Sequence, residues 1–231
     1  MPKTYVIIPT YNEAENISKL LEQINSLNIP DLTPVVVDDN SPDETWRVAQ
    51  EIPGTKVLRR MKGRGRGSAG IDGFKFALNE GADYIIEMDA DLSHQPKYIP
   101  SMLKAMAEYD VVLGSRHVPG GKDIERSLIR QITTLFAQSY IKLMLGVKVK
   151  DPTSGFRCFK REVLENIGLD SMISTGQWIV SEVLYKVHLK GYKIGEIPIV
   201  FIDRTQGETK LNLKALFQSL YMVYKFRRTF R

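Results

Sequence analysis

The chain has 231 residues, 43% hydrophobic and 26% charged, which suits one large α/β domain with a sizeable core, or one domain with a C-terminal appendage. It has no run of about 18 apolar residues that would span a membrane, and Met1-Pro2-Lys3-Thr4 leads straight into a strand, which reads against a secretory signal. The single Cys158 leaves no intrachain disulfide and fits a reducing compartment, and His94, His117 and His188 have no zinc-like spacing with it.

The first half alternates strand and helix patterns. Tyr5-Val6-Ile7-Ile8 is a short apolar strand ending at Pro9, and Asn12 with Glu15 three residues on predicts a capping box. Ile17, Leu20, Leu21, Ile24 and Leu27 then form a helical stripe. Further strands are expected at 35–37, 56–58, 83–88 and 111–113, with helices at about 68–80 and 97–108. This order calls for a mostly parallel sheet with helices on both faces. Beyond residue 120 the pattern changes. It predicts a long helix over 125–145, a short strand at 155–159, helices at 161–167 and 176–190, and a strand over 193–202. No repeat or linker interrupts the chain.

The net charge of +5 is unevenly spread. Residues 59–66 hold Arg59, Arg60, Lys62, Arg64 and Arg66 without an acid, and seven bases follow from Arg204 against Glu208 alone. Such clusters attract phosphates, in nucleic acid, anionic lipid or nucleotide. A solvated surface explains 59–66 equally well. Leu213, Leu216, Phe217, Leu220, Val223 and Phe226 form a final helical stripe, suited to packing on the core or to a membrane interface.

Gly65-Arg66-Gly67-Ser68-Ala69-Gly70 fits G-x-G-x-x-G, but no strand directly precedes it and the first strand–helix turn lies elsewhere. The glycines are better read as letting backbone pass close to a ligand or helix. No P-loop pattern is present.

The most informative stretch is Ile85-Ile86-Glu87-Met88-Asp89-Ala90-Asp91, an apolar strand that runs out into two aspartates. Hard carboxylate oxygens at a strand end suit Mg²⁺ or Mn²⁺ carrying a diphosphate. A solvated acidic turn is the bland alternative. Three more loops fall at strand ends, namely 9–13, Val37-Asp38-Asp39 and Gly114-Ser115-Arg116. In a parallel sheet all four converge on one cleft.

This set resembles family 2 glycosyltransferases of the GT-A fold. With Asp151-Pro152-Thr153-Ser154-Gly155-Phe156-Arg157 and Asp203 to Leu211, it is similar over nearly the whole chain to the polyprenol (dolichyl) phosphate mannose synthases. The resemblance implies that Pro9, Tyr11, Glu13, Val37 and Asp39 hold guanosine, and that Asp89, Ala90 and Asp91 hold metal and diphosphate. It implies that Arg116 and Arg126 face the sugar and the acceptor phosphate, and that Arg204 and Lys210 close over the diphosphate. Residues 1–210 would be the catalytic domain, and 211–231 a basic amphipathic helix. The implied activity is metal-dependent, inverting transfer of mannose from GDP-mannose to dolichyl or polyprenyl phosphate. It would take place at the cytoplasmic membrane face, on an anionic surface or beside a membrane-spanning partner protein. Asp91, Arg116 and Arg126 would be the catalytic residues.

Two departures stand out. Ser93 takes a position where some relatives carry a metal-binding Gln, while Arg66 interrupts the usual Gly-Leu-Gly run and Gly70 follows Ala69 where a larger residue is common. A UDP-sugar donor, or a non-catalytic nucleotide-sugar or membrane-surface binder, are the rival readings. Nucleic acid is not expected as a partner, because the bases at 59–66 lack interleaved aromatics.

Overall fold

The computed structural model describes residues 2–124, 128–202 and 213–230. Strands β1 (Thr4–Thr10), β2 (Leu32–Asp38), β3 (Lys56–Arg59), β4 (Tyr84–Glu87), β5 (Val111–Ser115), β7 (Arg157–Lys160) and β8 (Ile194–Pro198) form one sheet in the order β3-β2-β1-β4-β7-β5-β8. β7 is antiparallel to β4 and β5, and every other pairing in the sheet is parallel. The ends of β1, β2, β4 and β5 therefore share one edge with the start of β7. β6 (Lys122–Ile124) and β9 (Val200–Ile202) make a small parallel pair of their own.

Side-chain alternation along the strands divides the core in two. Tyr5, Ile7, Val35, Val37, Ile85, Val111, Leu113 and Phe159 face one layer, and Val6, Ile8, Val36, Ile86, Val112 and Cys158 face the other. The first layer is covered by α3 (Arg66–Asn79), α5 (Leu128–Leu145), α6 (Arg161–Asn166), α7 (Ile179–Leu189) and α8 (Leu213–Phe230). The second is covered by α1 (Ala14–Asn25), α2 (Thr45–Gln50) and α4 (Ile99–Ala105). Cys158 is buried, and burial pushes its thiol pKa up, so it is an inert core group.

Several expectations are corrected. The capping box is absent: Asn12 has φ 58°, and α1 begins at Ala14 after Glu13, with no side-chain cap of its own. Its first N–H groups are satisfied from across the cleft instead, Glu13 donating to Thr45 Oγ1 at 2.9 Å and Ala14 to Asp43 Oδ2 at 3.0 Å. The strand expected over 193–202 splits at Ile199, whose N–H donates to Ser115 O while its side chain enters the core. Residues 97–108 hold a 3-10 turn (Pro96–Tyr98) followed by the short α4. Helix α2 and strand β6, too short to show a period, were not anticipated.

Two close contacts fix the sheet. A Cβ at Gly73 would lie 2.3 Å from Ile7 Cγ2, so α3 rests directly on β1. Glu87, at the end of β4, is ion-paired with Arg157 at the start of β7; both are about 1% exposed, and Arg157 Nη1 also donates to Val180 O of α7 at 2.9 Å. Burial draws the Arg157 pKa down, and Glu87 acts against that. At the other end of this layer α8 seats Val223 and Phe226 in the core and is tied to α5 by Tyr140 Oη to Leu220 O (3.3 Å) and Arg227 Nη1 to Met144 O (3.0 Å).

Arg157→Ala leaves Glu87 buried without its main partner, and urea unfolding is expected to show a loss of about 3–5 kcal/mol. Gly73→Ala should cost about 1–3 kcal/mol through overpacking against Ile7.

Candidate active site

The shared edge holds a cavity of about 230 Å³ lined by Pro9, Thr10, Tyr11, Glu13, Asp39, Arg66, Ala69, Asp89 and Ala90. Its floor is organised by Asp38, a fully buried carboxylate at the end of β2. Asp38 accepts from Thr10 Oγ1 (2.8 Å), Ser41 N (2.8 Å) and Ser41 Oγ (2.6 Å), locking the β1 and β2 loops together. Asp39 then turns the opposite way, accepting from Gly65 N–H at 2.7 Å and pairing with Arg60. Arg60 is itself held by Asp72 (2.8 Å) and Ser68 (2.9 Å). Arg64 lies over the Tyr11 ring at 5.1 Å, and Arg59 over Trp46 at 3.9 Å. The basic run at 59–66 thus folds back beside this cavity, with Arg66 joining its lining and four of the five bases on partners within the chain.

Asp89 and Asp91 follow β4 on a strained turn, with Leu92 at φ 63°, a conformation costly for a branched residue. Asp91 Oδ1 accepts from the Ser93 N–H at 3.1 Å and from the Ser93 hydroxyl, so the buried Ser93 orients that carboxylate. Asp89 Oδ1 accepts from Arg66 Nε at 2.8 Å, with Nη2 also 2.8 Å away. The Asp89 N–H donates to His94 Nδ1 at 3.1 Å, and burial lowers the pKa of that imidazole, so it is a neutral prop under the turn. Among the described residues no group of three or more His, Cys, Asp or Glu is placed to hold a metal. The donor set is two hard carboxylates, which fits Mg²⁺ or Mn²⁺ where diphosphate oxygens and water complete the shell.

A larger cavity of about 540 Å³ opens on the other side of Arg66 and Asp89, lined by Arg116, Thr153, Tyr140, Trp178 and Leu220 among others. Arg116 is fixed by Asp151, Nε to Oδ2 at 2.7 Å and Nη2 to Oδ1 at 2.8 Å, with Thr153 Oγ1 at 2.9 Å from Nη2. Gln138 of α5 donates to the same Asp151 Oδ1 at 3.0 Å. Burial alone would raise the Asp151 pKa; the hydrogen bonds and charge of Arg116 outweigh it and hold the carboxyl below its usual range.

Of the residues expected at the site, Pro9, Tyr11, Glu13, Asp39, Asp89 and Ala90 line the smaller cavity, and Arg116 lines the larger with Asp89. Val37 does not join them, because its side chain is in the core beneath α3. Arg126, Arg204 and Lys210 lie outside the described residues. Asp38, Arg60, Glu87, His94, Asp151 and Trp178 were not anticipated; strand parity placed Glu87 and Asp38 inward, while the others depend on folds of the loops. In the glycine run the backbone N–H groups that open α3 are spent within the chain. The N–H groups of Gly67 and Ser68 at the start of α3 donate to Thr175 O (3.1 and 3.2 Å), and Cβ atoms at Gly65 and Gly67 would meet Thr175 O and Gly176 O at 2.5 and 2.6 Å.

A mostly parallel sheet with one reversed strand, with Asp89 lining a cavity at its carboxyl edge and Asp91 two residues on, is the architecture of GT-A glycosyltransferases. The fold matches glucosyl-3-phosphoglycerate synthase from Mycobacterium tuberculosis, solved with Mn²⁺, UDP and glucosyl-3-phosphoglycerate (TM-score 0.69, 19% identity, 97% of this chain and 78% of that one). It equally matches mannosyl-3-phosphoglycerate synthase from Rubrobacter xylanophilus (TM-score 0.69, 19% identity, 98% and 73%). Residues 5–168 match the model of Glycosyl transferase family 2, and the chain belongs to that family. Similar relatives are the undecaprenyl-phosphate mannosyltransferase of Micrococcus luteus (38% identical, 91% of this chain, 88% of the relative) and the polyprenol monophosphomannose synthase of Mycolicibacterium smegmatis (34%, 96% and 85%). The dolichol-phosphate mannosyltransferase of Pyrococcus furiosus is 40% identical over 96% of this chain, which spans 63% of that relative's length.

Asp151→Asn tests the Arg116 clamp. A carboxyl whose folded pKa is depressed contributes stability above its unfolded value, near 3.8, and loses that stability as pH falls through the folded value. The variant should therefore melt well below wild type at pH 7, with the gap narrowing as pH drops below about 4.

Proposed function

We infer that the protein transfers mannose from GDP-mannose to a dolichyl or other polyprenyl phosphate, with inversion, giving polyprenyl phosphate mannose and GDP. The observation that carries this reading is the meeting of two cavities at Asp89: a nucleoside-sized one under Tyr11 and Asp39, and a larger one under Arg116 flanked by the apolar helices α5 and α8. The names of the three similar relatives support the same donor sugar and acceptor class.

In this reading Pro9, Tyr11, Glu13 and Asp39 hold the guanosine, with Val37 beneath them as core support. Asp89 and Asp91 would hold Mg²⁺ or Mn²⁺, which when bound offsets charge on the departing diphosphate. The nucleophile is a phosphate oxygen already anionic at neutral pH, so no general base is required. The difficulty is electrostatic, since two unit charges about 4 Å apart interact by about 4 kcal/mol at an effective dielectric of 20. Arg116, held in place by Asp151 and Thr153, keeps a preset guanidinium at the wall where the acceptor phosphate enters. By resemblance, Arg126 joins it on the acceptor phosphate, and Arg204 and Lys210 cover the diphosphate.

A lipid acceptor needs a membrane, and no helix among the described residues is long and apolar enough to cross one. The contact we assign instead is the outer face of α5 and α8. Ile132, Leu135, Phe136 and Leu143 are exposed along α5, and Tyr221 and Tyr224 along α8. Lys142, Lys225 and Arg228 flank them and would each add about 1 kcal/mol at an anionic surface. Residues 1–210 would then be the catalytic domain and 211–231 an interfacial segment, placing the enzyme peripherally at the cytoplasmic membrane face. A membrane-spanning partner protein is the other way to meet the lipid.

Incubation with labelled GDP-mannose, polyprenyl phosphate and Mg²⁺ or Mn²⁺ should move label into the lipid extract; label entering only from UDP-glucose would overturn the donor assignment. Asp91→Ala should lower turnover on the order of a hundredfold or more, and Lys210→Ala should slow it with a smaller loss of donor binding. Co-sedimentation with anionic vesicles should be strong at low salt and weaken as salt rises; no binding at low salt leaves the partner-protein route.

A further inference from the structure

Arg66, which interrupts the usual Gly-Leu-Gly run, and Gly70, which stands where a larger residue is common, form one unit in the fold. The guanidinium of Arg66 spans Asp89 Oδ1 (2.8 Å) and Glu87 Oε1 (3.3 Å). A Cβ at Gly155 would lie 2.7 Å from Arg66 Nη2, and one at Gly70 would lie 3.0 Å from Glu87 Oε1. Glycine at 155 leaves the slot that Arg66 fills, and glycine at 70 leaves room for the carboxylate that holds it. Arg66 is the first residue of α3, whose opening N–H groups are pinned to Thr175 O. The backbone is thus fixed while the side chain lies across the wall shared by both cavities. A guanidinium stays protonated in proteins, so the positive charge that Arg66 sets against Asp89 and Glu87 is permanent.

We propose that Arg66 is a resident cation of the diphosphate site: it neutralises Asp89 before the substrate arrives and competes with the divalent ion for that carboxylate. This rests on the assignment of Asp89 and Asp91 as the metal-holding pair. Glu87, Asp89 and Asp91 carry three negative charges, against which stand the positive charges of Arg66 and Arg157. With Arg66 in place the metal alone meets a nearly balanced site and binds weakly. A nucleoside diphosphate supplies the missing negative charge, and its own oxygens attract the guanidinium away from Asp89. Metal and nucleotide therefore bind as a pair, and free metal does not fill the site ahead of the donor.

The test is Mn²⁺ binding followed by electron paramagnetic resonance, with and without GDP, on wild type, Arg66→Leu and Arg66→Lys. Removing a unit positive charge from contact with Asp89 should tighten binding of Mn²⁺ alone by about tenfold or more in Arg66→Leu. Arg66→Lys keeps the charge and should stay within about threefold of wild type. GDP should strengthen Mn²⁺ binding far more in wild type than in Arg66→Leu. Equal affinity of wild type and Arg66→Leu for Mn²⁺ alone, or an Arg66→Lys variant as tight as Arg66→Leu, overturns the proposal while leaving the metal pair intact. If no protein binds Mn²⁺ even with GDP, both the metal pair and the role of Arg66 fall. Thermal melting checks that each variant is folded, since Glu87 retains Arg157 in all of them.

Discussion

The buried pairing of Glu87 with Arg157 is the constraint on which the site depends. It closes the β4–β7 ladder at the edge where the chemistry-bearing loops emerge, and Arg157 carries the same contact on to α7. A buried ion pair is poor value as a source of stability against an apolar replacement. Its worth here is positional: the other oxygen of Glu87 holds Arg66, and Arg66 holds Asp89. Charge alternates along the line Arg157, Glu87, Arg66, Asp89, running from a fully buried core to an open cleft. An error at the buried end would therefore displace the carboxylate at the exposed end.

The rest of the cleft is built on the same plan, each residue that faces it being braced by a neighbour within the chain. Asp38 is consumed by Thr10 and Ser41, and its neighbour Asp39 faces the cavity. Ser93 holds Asp91, Asp151 holds Arg116, and His94 supports the backbone of Asp89. These supports set the carboxylates and the arginine before any substrate arrives, which is what electrostatic stabilisation of a charged transition state requires.

Much of this was legible in the sequence because strand period and strand order are local signals. The apolar runs at 5–8, 35–37, 85–86 and 111–113 form the sheet, and the residues following them come to one edge, Tyr11, Asp39 and Asp89 in one cavity and Arg116 with Asp89 in a second. The reversed β7 was seen only as a short strand, because nothing in Gly155-Phe156-Arg157-Cys158-Phe159 encodes its direction. The capping box failed because Asn12 takes a left-handed conformation while Thr45 and Asp43, some thirty residues away, do the capping. Partners such as Arg60 with Asp39 and Arg116 with Asp151 are likewise products of tertiary structure and have no sequence spacing to betray them.

The reversed strand also sets a dimension. Because β7 lies between β4 and β5, the tips carrying Asp89 and Arg116 stand two ladder spacings apart, roughly 10 Å. That gauge is held by main-chain hydrogen bonds, so side-chain substitution in the cleft can retune charge and shape but cannot widen the gate. Divergence of such enzymes toward new donors or acceptors must work within a fixed aperture, and changes of ligand size have to be absorbed by the loops and helices at its rim.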